Sequence, residues 1–358
     1  MLYISLQWCK QALFTTCAIY VFTCNFSFNL ARADPLPEES DHTFAFDVIN
    51  GLSDKNKHLS SKYLYDDEGS RLFTQVMASE NYYLARCERE ILINQSDDIA
   101  SYINTESLNI IELGAGDGTK TVHLLDSLQN RKINHLRYSP IDISGEAIRL
   151  LRQTLEGKLV DTDLYPIEGD YLEALPKALT PDYQHNLLLF LGGNIGNFTI
   201  EEAKNFLRSI RAYLKDGDHL LLGFDLKKDI NIMQMAYSGE EEGVYSHFHK
   251  NLLQRINREL GGNFDSKYFK RHPFYNPLTS AVEMYLISTK KQNVYLKKFD
   301  INVGLDEYEG IRLTCSKKSS FQDLQNLAKE CGFQIIKNFT DSKNYFVDSL
   351  WRVNKTTQ

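Results

Sequence analysis

Cysteine is scarce in this sequence, and basic residues do not outnumber acidic ones. Six cysteines occur in 358 residues, and no two of them have the Cys-x-x-Cys spacing of common structural zinc sites. We therefore expect reduced thiols and no bound metal in the folded body. The formal net charge of −7 argues against nucleic acid as a partner, since such binders usually present a basic face. Small molecules are the better class of ligand, and we expect a monomer.

The first 33 residues differ in composition from the rest of the chain. Residues 12–30 are largely apolar, and Ala31-Arg32-Ala33 after them has the small-x-small form of a signal-peptidase site. Polar residues interrupt the apolar run, however, and little positive charge precedes it. An export signal, a membrane anchor and a start assigned too far upstream explain this segment about equally well. We expect a cytoplasmic protein that contacts a membrane only if the segment is an anchor.

Short apolar runs alternate with longer amphipathic stretches from Leu108 onward. This alternation predicts a parallel sheet with crossover helices, and therefore an α/β fold with a Rossmann-like sheet. The predicted strands are Asn109–Glu112, Leu136–Ile143, Leu164–Ile167, Asn186–Leu191, His219–Phe224, Phe333–Ile336 and Tyr345–Val353. The predicted helices are Thr119–Gln129, Gly145–Glu156, Ile200–Leu214 and Phe321–Cys331, with a further helix at Gly69–Met77.

Residues Lys227–Cys315 interrupt this alternation. They contain a long amphipathic stretch, Gly243–Leu260, and short alternating segments at 281–287 and 292–299. We predict an inserted α+β substrate-binding domain, with the active site in the cleft between it and the sheet. The predicted parts are the apolar segment (1–33), a linker (34–41), an N-terminal helical part of the substrate domain (42–90), the sheet domain (91–226), the insert (227–315) and a C-terminal completion of the sheet (316–358).

A glycine-rich turn follows the first predicted strand. Gly114, Gly116 and Gly118 let the backbone approach a ligand at the carboxyl edge of the sheet. Their spacing, followed by Thr119, departs from the Gly-x-Gly-x-x-Gly of dinucleotide folds, whose loop lies against a pyrophosphate. Glu112 before the turn also suits a cationic ligand better than a phosphate. The turn therefore favours S-adenosylmethionine over a nicotinamide cofactor.

Acidic and amide residues follow the next predicted strands. Asp142 stands where an acid can accept hydrogen bonds from both ribose hydroxyls. Asp170 and Tyr171 follow the third strand, where a carboxylate and a ring suit an adenine, although an ordinary tight turn is the alternative. The segment Phe190–Asn197 follows the fourth strand, at the edge where ligands bind in such sheets.

With these motifs in order, the chain resembles the histidine-specific methyltransferase family. Members of this family use S-adenosylmethionine to trimethylate the α-amino group of L-histidine on the way to ergothioneine. The resemblance covers residues 42–355 and rests on Lys62–Asp66 with Gly69-Ser70 and Leu72-Phe73, Asn81–Tyr83 with Arg86 and Glu88, Glu112–Lys120, Tyr138–Ser144, Gly169–Tyr171, Phe190–Asn197, Ala236-Tyr237, Gly243, Asn251–Leu253, Asn257–Leu260 and Val282–Met284.

The resemblance implies a class I methyltransferase sheet and a role for each matching residue. It implies that the methyl donor contacts Glu112, Gly114, Gly116, Lys120, Asp142, Asp170 and Tyr171. It implies that Asn197 and Tyr237 bind the amino and carboxylate groups of the acceptor, and that Tyr65 and Tyr82 lie near the reacting nitrogen. The remaining implied substrate residues are Met284, Thr314 and Ser316. Tyrosine faces can also hold a methylammonium by a cation–π attraction of about 0.5–2 kcal/mol.

One residue departs from the family pattern. The family has Thr-Glu-x-Ser, whose Glu and Ser bind the imidazole, where this chain has Leu313-Thr314-Cys315-Ser316. A hydroxyl gives roughly half the stabilisation of a charge-assisted bond from a carboxylate. Another amino acid or a natural-product amine is therefore an alternative acceptor. A non-catalytic exported ligand binder is the alternative from a different class.

Overall fold

The computed structural model describes residues 39–131, 133–240 and 243–353, with side chains from Thr43 onward. The predicted signal or anchor, with Cys9, Cys17 and Cys24, lies outside the described residues. The chain from Phe44 onward forms one compact unit. Within the described ranges, no helix has both the length and the apolar character needed to span a bilayer.

Among the described residues, the main sheet contains eight strands. They are β1 (Ser107–Leu113), β2 (His135–Asp142), β3 (Thr162–Leu164), β4 (Ile167–Glu168), β5 (His185–Phe190), β6 (His219–Asp225), β12 (Phe333–Thr340) and β13 (Phe346–Val353). The order is β12-β13-β6-β5-β1-β2-β3, and β4 pairs with β2 beyond the end of β3. Strand β13 runs antiparallel to both of its neighbours, while the pairs from β6 to β3 are parallel. The chain leaves β1 toward β2 on one side, whereas it leaves the neighbouring strand β5 toward β6 on the other side. These opposite connections create a crevice at the carboxyl ends of β1 and β5.

The strand predicted at Leu164–Ile167 is wrong in detail. The structure has two short strands instead, β3 and β4, separated by Tyr165 and Pro166. The backbone N–H of Tyr165 still bonds the carbonyl of Tyr138 at 2.9 Å. Pro166 has no N–H to continue the ladder, so the pairing stops there.

Ten α-helices surround the sheets in the described part of the chain. They are α1 (Glu39–Ser53), α2 (Asp67–Met77), α3 (Tyr83–Ser101), α4 (Val122–Gln129), α5 (Gly145–Leu155), α6 (Tyr171–Ala178), α7 (Ile200–Tyr213), α8 (Ile230–Met235), α9 (Val244–Leu260) and α10 (Phe321–Glu330). Helix α1 begins inside the predicted linker, and α3 continues across the predicted boundary at residue 90. Helix α6 was not predicted, since Pro176 lies inside it; Asp170 caps its first turn.

The insert forms two small antiparallel sheets beside the main sheet. One contains β7 (Phe269–Asn276), β8 (Ala281–Ser288) and β11 (Gly310–Lys317), and the other pairs β9 (Gln292–Leu296) with β10 (Ile301–Leu305). Strands β7, β10 and β11 were not predicted from the sequence. Asp66 ties α2 to α9, because its carboxylate accepts hydrogen bonds from Asn251 at 2.7 Å and Arg258 at 2.7 Å. The N-terminal helices therefore pack on the inserted part.

Two apolar cores lie on opposite faces of the main sheet. Ile111 and Leu188 point into one core with α6, α7 and α10, while Ile110 and Leu187 point into the other. This alternation follows from the two-residue period of a strand. The second core continues into the N-terminal helices and the insert. The fold is thus a mixed α/β sheet with a separate antiparallel insert, and the crevice at β1 lies where the two parts meet.

Candidate active site

A cavity of about 200 Å³ opens at the carboxyl ends of β1, β2 and β5. It brings together ten of the residues that the sequence analysis selected, which are Tyr65, Tyr82, Glu112, Gly114, Gly116, Lys120, Asp142, Asp170, Tyr171 and Asn197. The other four, Tyr237, Met284, Thr314 and Ser316, are not among its lining residues. Helix α2 supplies a further wall through Phe73 and Met77.

The glycine turn bends sharply between β1 and α4. Gly114 and Gly116 have φ of +74° and +58°, a region that other residues adopt only with strain. A Cβ atom on Gly114 would lie 2.8 Å from the hydroxyl oxygen of Tyr171, whereas one on Gly116 would meet nothing within 4 Å. The turn therefore closes tightly over Tyr171 at Gly114 and leaves open space at Gly116.

Asp142 is held at the end of β2 by backbone donors. Its carboxylate accepts hydrogen bonds from the N–H groups of Gly116 at 2.9 Å and Ser144 at 3.0 Å. Burial raises the pKa of Asp142, although these donors oppose the shift. Each oxygen of an ionised carboxylate has a second lone pair. The carboxylate is thus fixed in orientation and can still accept from a ligand.

Glu112 lies beneath the turn with both oxygens occupied. The hydroxyl of Thr121 donates to one oxygen at 2.7 Å, and the hydroxyl of Tyr138 donates to the other. Burial raises the pKa of this carboxyl to about 7. The side chain joins β1, β2 and the start of α4, and it places an ionisable carboxyl at the wall of the cavity.

Lys120 is paired with Glu88, a residue of the matching motifs to which no role was assigned from the sequence. Glu88 is fully buried on α3; one of its oxygens bonds the amine of Lys120 and the other accepts the N–H of Gly192 after β5. Asp348 is buried nearby, and its carboxyl has no hydrogen bond to any described residue. Burial, followed by repulsion from Glu88, raises the pKa of Asp348. The sequence indicates a buried role for Glu88 only by its position, because it is a charged residue between Cys87 and Ile91 on the apolar face of α3.

Asp170 and Tyr171 begin helix α6 at the next strand end. The Asp170 carboxylate accepts the N–H of Leu172 at 3.2 Å as an N-cap. The ring of Tyr171 packs edge-on against Phe190, with centroids 5.5 Å apart. The tight turn considered as an alternative is thus a helix start that directs both side chains into the cavity wall.

Aromatic rings form another part of the wall. Tyr65 packs edge-on against Phe73 with centroids 5.2 Å apart, and Phe73 lies 6.0 Å from Tyr82. Burial, and after it the neighbouring hydroxyl of Tyr237, raises the pKa of both Tyr65 and Tyr82. These phenols therefore stay neutral at physiological pH, where they can donate or accept hydrogen bonds but do not act as phenolate bases.

Two of the four residues outside the cavity lining, Tyr237 and Ser316, lie behind this aromatic wall. The ring of Tyr237 is 6.1 Å from that of Tyr82, and its hydroxyl bonds the Ser316 hydroxyl at 2.6 Å. Thr314 on β11 pairs with Met284 on β8, next to a break in the strand register between Arg312 and Thr314. Such a break re-aims the side chains beside it. Thr314 is half-buried, whereas Met284 is fully buried.

The chain is similar to proteins of known function. The model of the family described as histidine-specific methyltransferase, SAM-dependent, matches residues 44–353. Histidine N-alpha-methyltransferase of Mycobacterium tuberculosis is 32% identical over 319 residues, which cover 89% of this chain and 98% of that protein. An L-tryptophan methyltransferase of Psilocybe serbica is 26% identical and covers 79% of this chain and 84% of its own length.

Solved structures also align with the chain. Magnesium protoporphyrin IX methyltransferase of Synechocystis PCC 6803, with bound SAH, aligns with a TM-score of 0.42 at 12% identity, over 80% of this chain and 95% of that one. A methyltransferase of Clostridium acetobutylicum aligns with a TM-score of 0.40 at 10% identity, over 75% of this chain and 92% of that one.

Proposed function

Because this chain belongs to the histidine-specific, SAM-dependent methyltransferase family, we propose that it methylates the α-amino nitrogen of an amino acid, and that L-histidine is converted to trimethylhistidine. S-adenosylmethionine is the methyl donor of this enzyme. Membership of an enzyme family argues against the alternative of a non-catalytic exported ligand binder. We further propose that the enzyme is a monomer that works in the cytoplasm, where the donor is made.

One observation carries the proposal. The residues proposed to hold the donor and the tyrosines proposed to hold the acceptor line the same cavity. We define the donor half as Glu112, Gly114, Gly116, Lys120, Asp142, Asp170 and Tyr171. We define the acceptor half as Tyr65, Tyr82 and Asn197, with Tyr237, Met284, Thr314 and Ser316 behind them. The open space over Gly116, beside the fixed Asp142 carboxylate, fits a nucleoside that approaches the backbone closely.

The acceptor half supplies positioning for the reaction. The donor contributes a methyl carbon on a sulfonium; the lone pair of the amine forms the new N–C bond while the C–S bond breaks. Neutral hydroxyls of Tyr65 and Tyr82 orient the amine, and their rings stabilise the methylammonium that forms by cation–π attraction. Holding the amine in line with the methyl group accounts for much of the rate enhancement of such a displacement.

Thr314 favours a second candidate for the acceptor. The imidazole-binding Glu of the family motif is absent at this position, and the residue paired with Thr314 is the apolar Met284. The relative from Psilocybe serbica is named as acting on L-tryptophan. Another amino acid, such as tryptophan, or a natural-product amine is therefore the alternative to histidine.

The full chain provides the test. It is incubated with S-adenosylmethionine and a panel of amino acids and amines, and products that gain one, two or three methyl groups are measured by mass spectrometry. Histidine is expected to give the highest kcat/KM of the panel. Binding of S-adenosylhomocysteine is measured in parallel by calorimetry. Failure to bind the nucleoside and to consume the donor with every acceptor would overturn the proposal.

A further inference from the structure

A buried cluster of charged and hydroxyl groups lies behind the aromatic wall of the acceptor half. Its centre is Lys318, one residue past the end of β11, with no exposed surface. The Lys318 amine donates to Asp225 at 2.7 Å, to the Tyr237 hydroxyl at 2.9 Å and to the Ser316 hydroxyl at 2.7 Å. All three N–H groups of the ammonium are thus used.

The cluster contains more positive than negative charge. The carboxylate of Asp225 also pairs with the amine of Lys228 at 2.5 Å, so it is shared by two lysines. The hydroxyl of Tyr83 donates to both oxygens of Asp225 at 2.9 Å. A buried charge is costly unless an opposite charge balances it. One carboxylate cannot balance two ammonium groups, so a further anion would stabilise the state in which both lysines are protonated.

The two lysines differ in how firmly they hold their protons. For Lys318, burial lowers the pKa, but Asp225 and Tyr237 more than offset this and the pKa is raised. For Lys228, burial dominates and lowers the pKa. The ammonium of Lys228 also lies 4.3 Å from the ring of Tyr83 and 5.3 Å from that of Tyr345. Of the two lysines, Lys318 therefore holds its proton more firmly.

The hydroxyl groups of Tyr237 and Ser316 carry one more proton than their hydrogen bonds to described residues use. Tyr237 and Ser316 both accept from Lys318, and they bond each other at 2.6 Å. One of their two protons makes that mutual bond. Within the described ranges no acceptor is found for the other proton. Whichever hydroxyl carries it, the pair presents one donor that is polarised by an adjacent ammonium.

The cluster lies directly behind the residues of the acceptor half that line the cavity. The ring of Tyr237 is half-buried and packs against Tyr82, which lines the cavity. The turn that carries Asn197 packs against β11, where a Cβ atom on Gly196 would lie 3.1 Å from the carbonyl oxygen of Lys317. The unpaired donor, with the Lys318 ammonium behind it, is thus next to the groups proposed to hold the amine.

We propose that Lys318 is a positioning residue that makes the acceptor half selective for an amine with a neighbouring carboxylate. Lys318 holds the Tyr237–Ser316 pair so that its remaining proton is donated to the carboxylate, and the ammonium balances the charge of that carboxylate. Lys318 thereby causes the preference of the proposed enzyme for an α-amino acid over the corresponding decarboxylated amine. This inference rests on the proposed function.

The test compares two acceptors that differ by the carboxylate alone. The wild-type enzyme and the Lys318→Met variant are assayed with L-histidine and histamine, and with L-tryptophan and tryptamine. We expect the variant to raise KM for the amino acid by about tenfold to a hundredfold, the range for losing a hydrogen bond to a charged group. We expect KM for the amine to change by less than about twofold and the Kd for S-adenosylhomocysteine to stay the same. Lys318→Arg should restore part of the discrimination.

Two controls separate this role from a structural one. Lys317→Met removes the neighbouring ammonium, which bonds the carbonyl of Thr279 at 3.3 Å, and should leave all these values unchanged. If Lys318→Met does not fold, the wild-type enzyme is titrated with L-histidine and L-histidinamide in the presence of S-adenosylhomocysteine. Equal affinity for acid and amide, or equal loss of amino acid and amine turnover in the variant, would overturn the inference. A wild-type enzyme that methylates no amino acid refutes the proposed function itself, which is a distinct result.

Discussion

The donor half and the acceptor half of the cavity are built in different ways. The donor half comes from one continuous part of the chain, residues 112–171, where β1, β2 and β4 end at the same edge of the sheet. The acceptor half is assembled from separate stretches around Tyr65, Tyr82, Asn197, Tyr237 and Ser316, which belong to the N-terminal helices, the loop after β5 and the insert. Sheet topology thus determines the donor half, while the acceptor half depends on how distant segments pack.

This difference makes the donor half less dependent on individual side chains than the acceptor half. Backbone N–H groups hold Asp142, and a left-handed turn holds Gly114, so side-chain substitutions elsewhere leave these features in place. The acceptor half relies on side-chain hydroxyls such as the Tyr237–Ser316 pair. Changes at single positions, as at Thr314, can therefore alter the acceptor without altering the donor.

The largest expected effect is a loss of donor binding that is caused by a change in the donor half alone. Asp142→Ala removes the carboxylate proposed to bind two ribose hydroxyls and should raise the Kd for S-adenosylhomocysteine roughly a hundredfold, because each hydrogen bond to a charged group contributes about 1.5–3 kcal/mol. Calorimetric titration measures this Kd. The control is Asp163→Ala, whose side chain is 60% exposed on the edge strand β3. An unchanged Kd in Asp142→Ala would remove Asp142 from the donor half.

A smaller effect is expected within the donor half itself. Gly114→Ala and Gly116→Ala both place a side chain at positive φ, which costs on the order of 1–2 kcal/mol. Only at Gly114 does the new Cβ also approach Tyr171 and Asn194, at 2.8 and 3.2 Å. Thermal unfolding should therefore show a larger loss of stability for Gly114→Ala, with Gly304→Ala as a control where nothing lies within 4 Å. Equal losses at positions 114 and 116 would contradict the close packing over Tyr171.

The smallest expected effect concerns the acceptor half alone. Thr314→Glu restores the carboxylate of the family motif and should raise the ratio of kcat/KM for histidine over tryptophan by about tenfold, as expected for a charge-assisted bond to the imidazole. Thr314→Gln has the same shape without the charge and should give a smaller change. The Kd for S-adenosylhomocysteine should not move in either variant. A fall in the ratio would show that Thr314 does not face the acceptor side chain.

The same contrast between the two halves explains which features could be predicted from the sequence. The glycine turn, Asp142 and Asp170 were predictable because consecutive strands and turns place them at one edge, and the predicted residues of this half all line the cavity. Helix α6 was missed because Pro176 argues against a helix, and the N-cap at Asp170 with the packing of Leu175 outweighs it. Short-range patterns thus identify the sheet and its turns.

Residues that act through distant partners could not be predicted in this way. Glu88 meets Lys120 and Gly192 only after α3 packs on the sheet. Lys318 and Asp225 lie far apart in sequence and form an ion pair at 2.7 Å in the core. A lysine in sequence is usually exposed, so nothing local indicates that Lys318 is fully buried. The strand register that sets Thr314 opposite Met284 is likewise a property of the folded insert.

The central claim is methyl transfer to the α-amino nitrogen of an amino acid, and locating the methyl groups tests it most directly. The full chain is incubated with S-adenosylmethionine and L-histidine, and tandem mass spectrometry assigns the added methyl groups to the α-nitrogen or to the imidazole ring. The account predicts that all of them are on the α-nitrogen and that Tyr82→Phe lowers their yield while donor binding is unchanged. Methyl groups on the ring, or no consumption of the donor with histidine or any other amino acid, would contradict it.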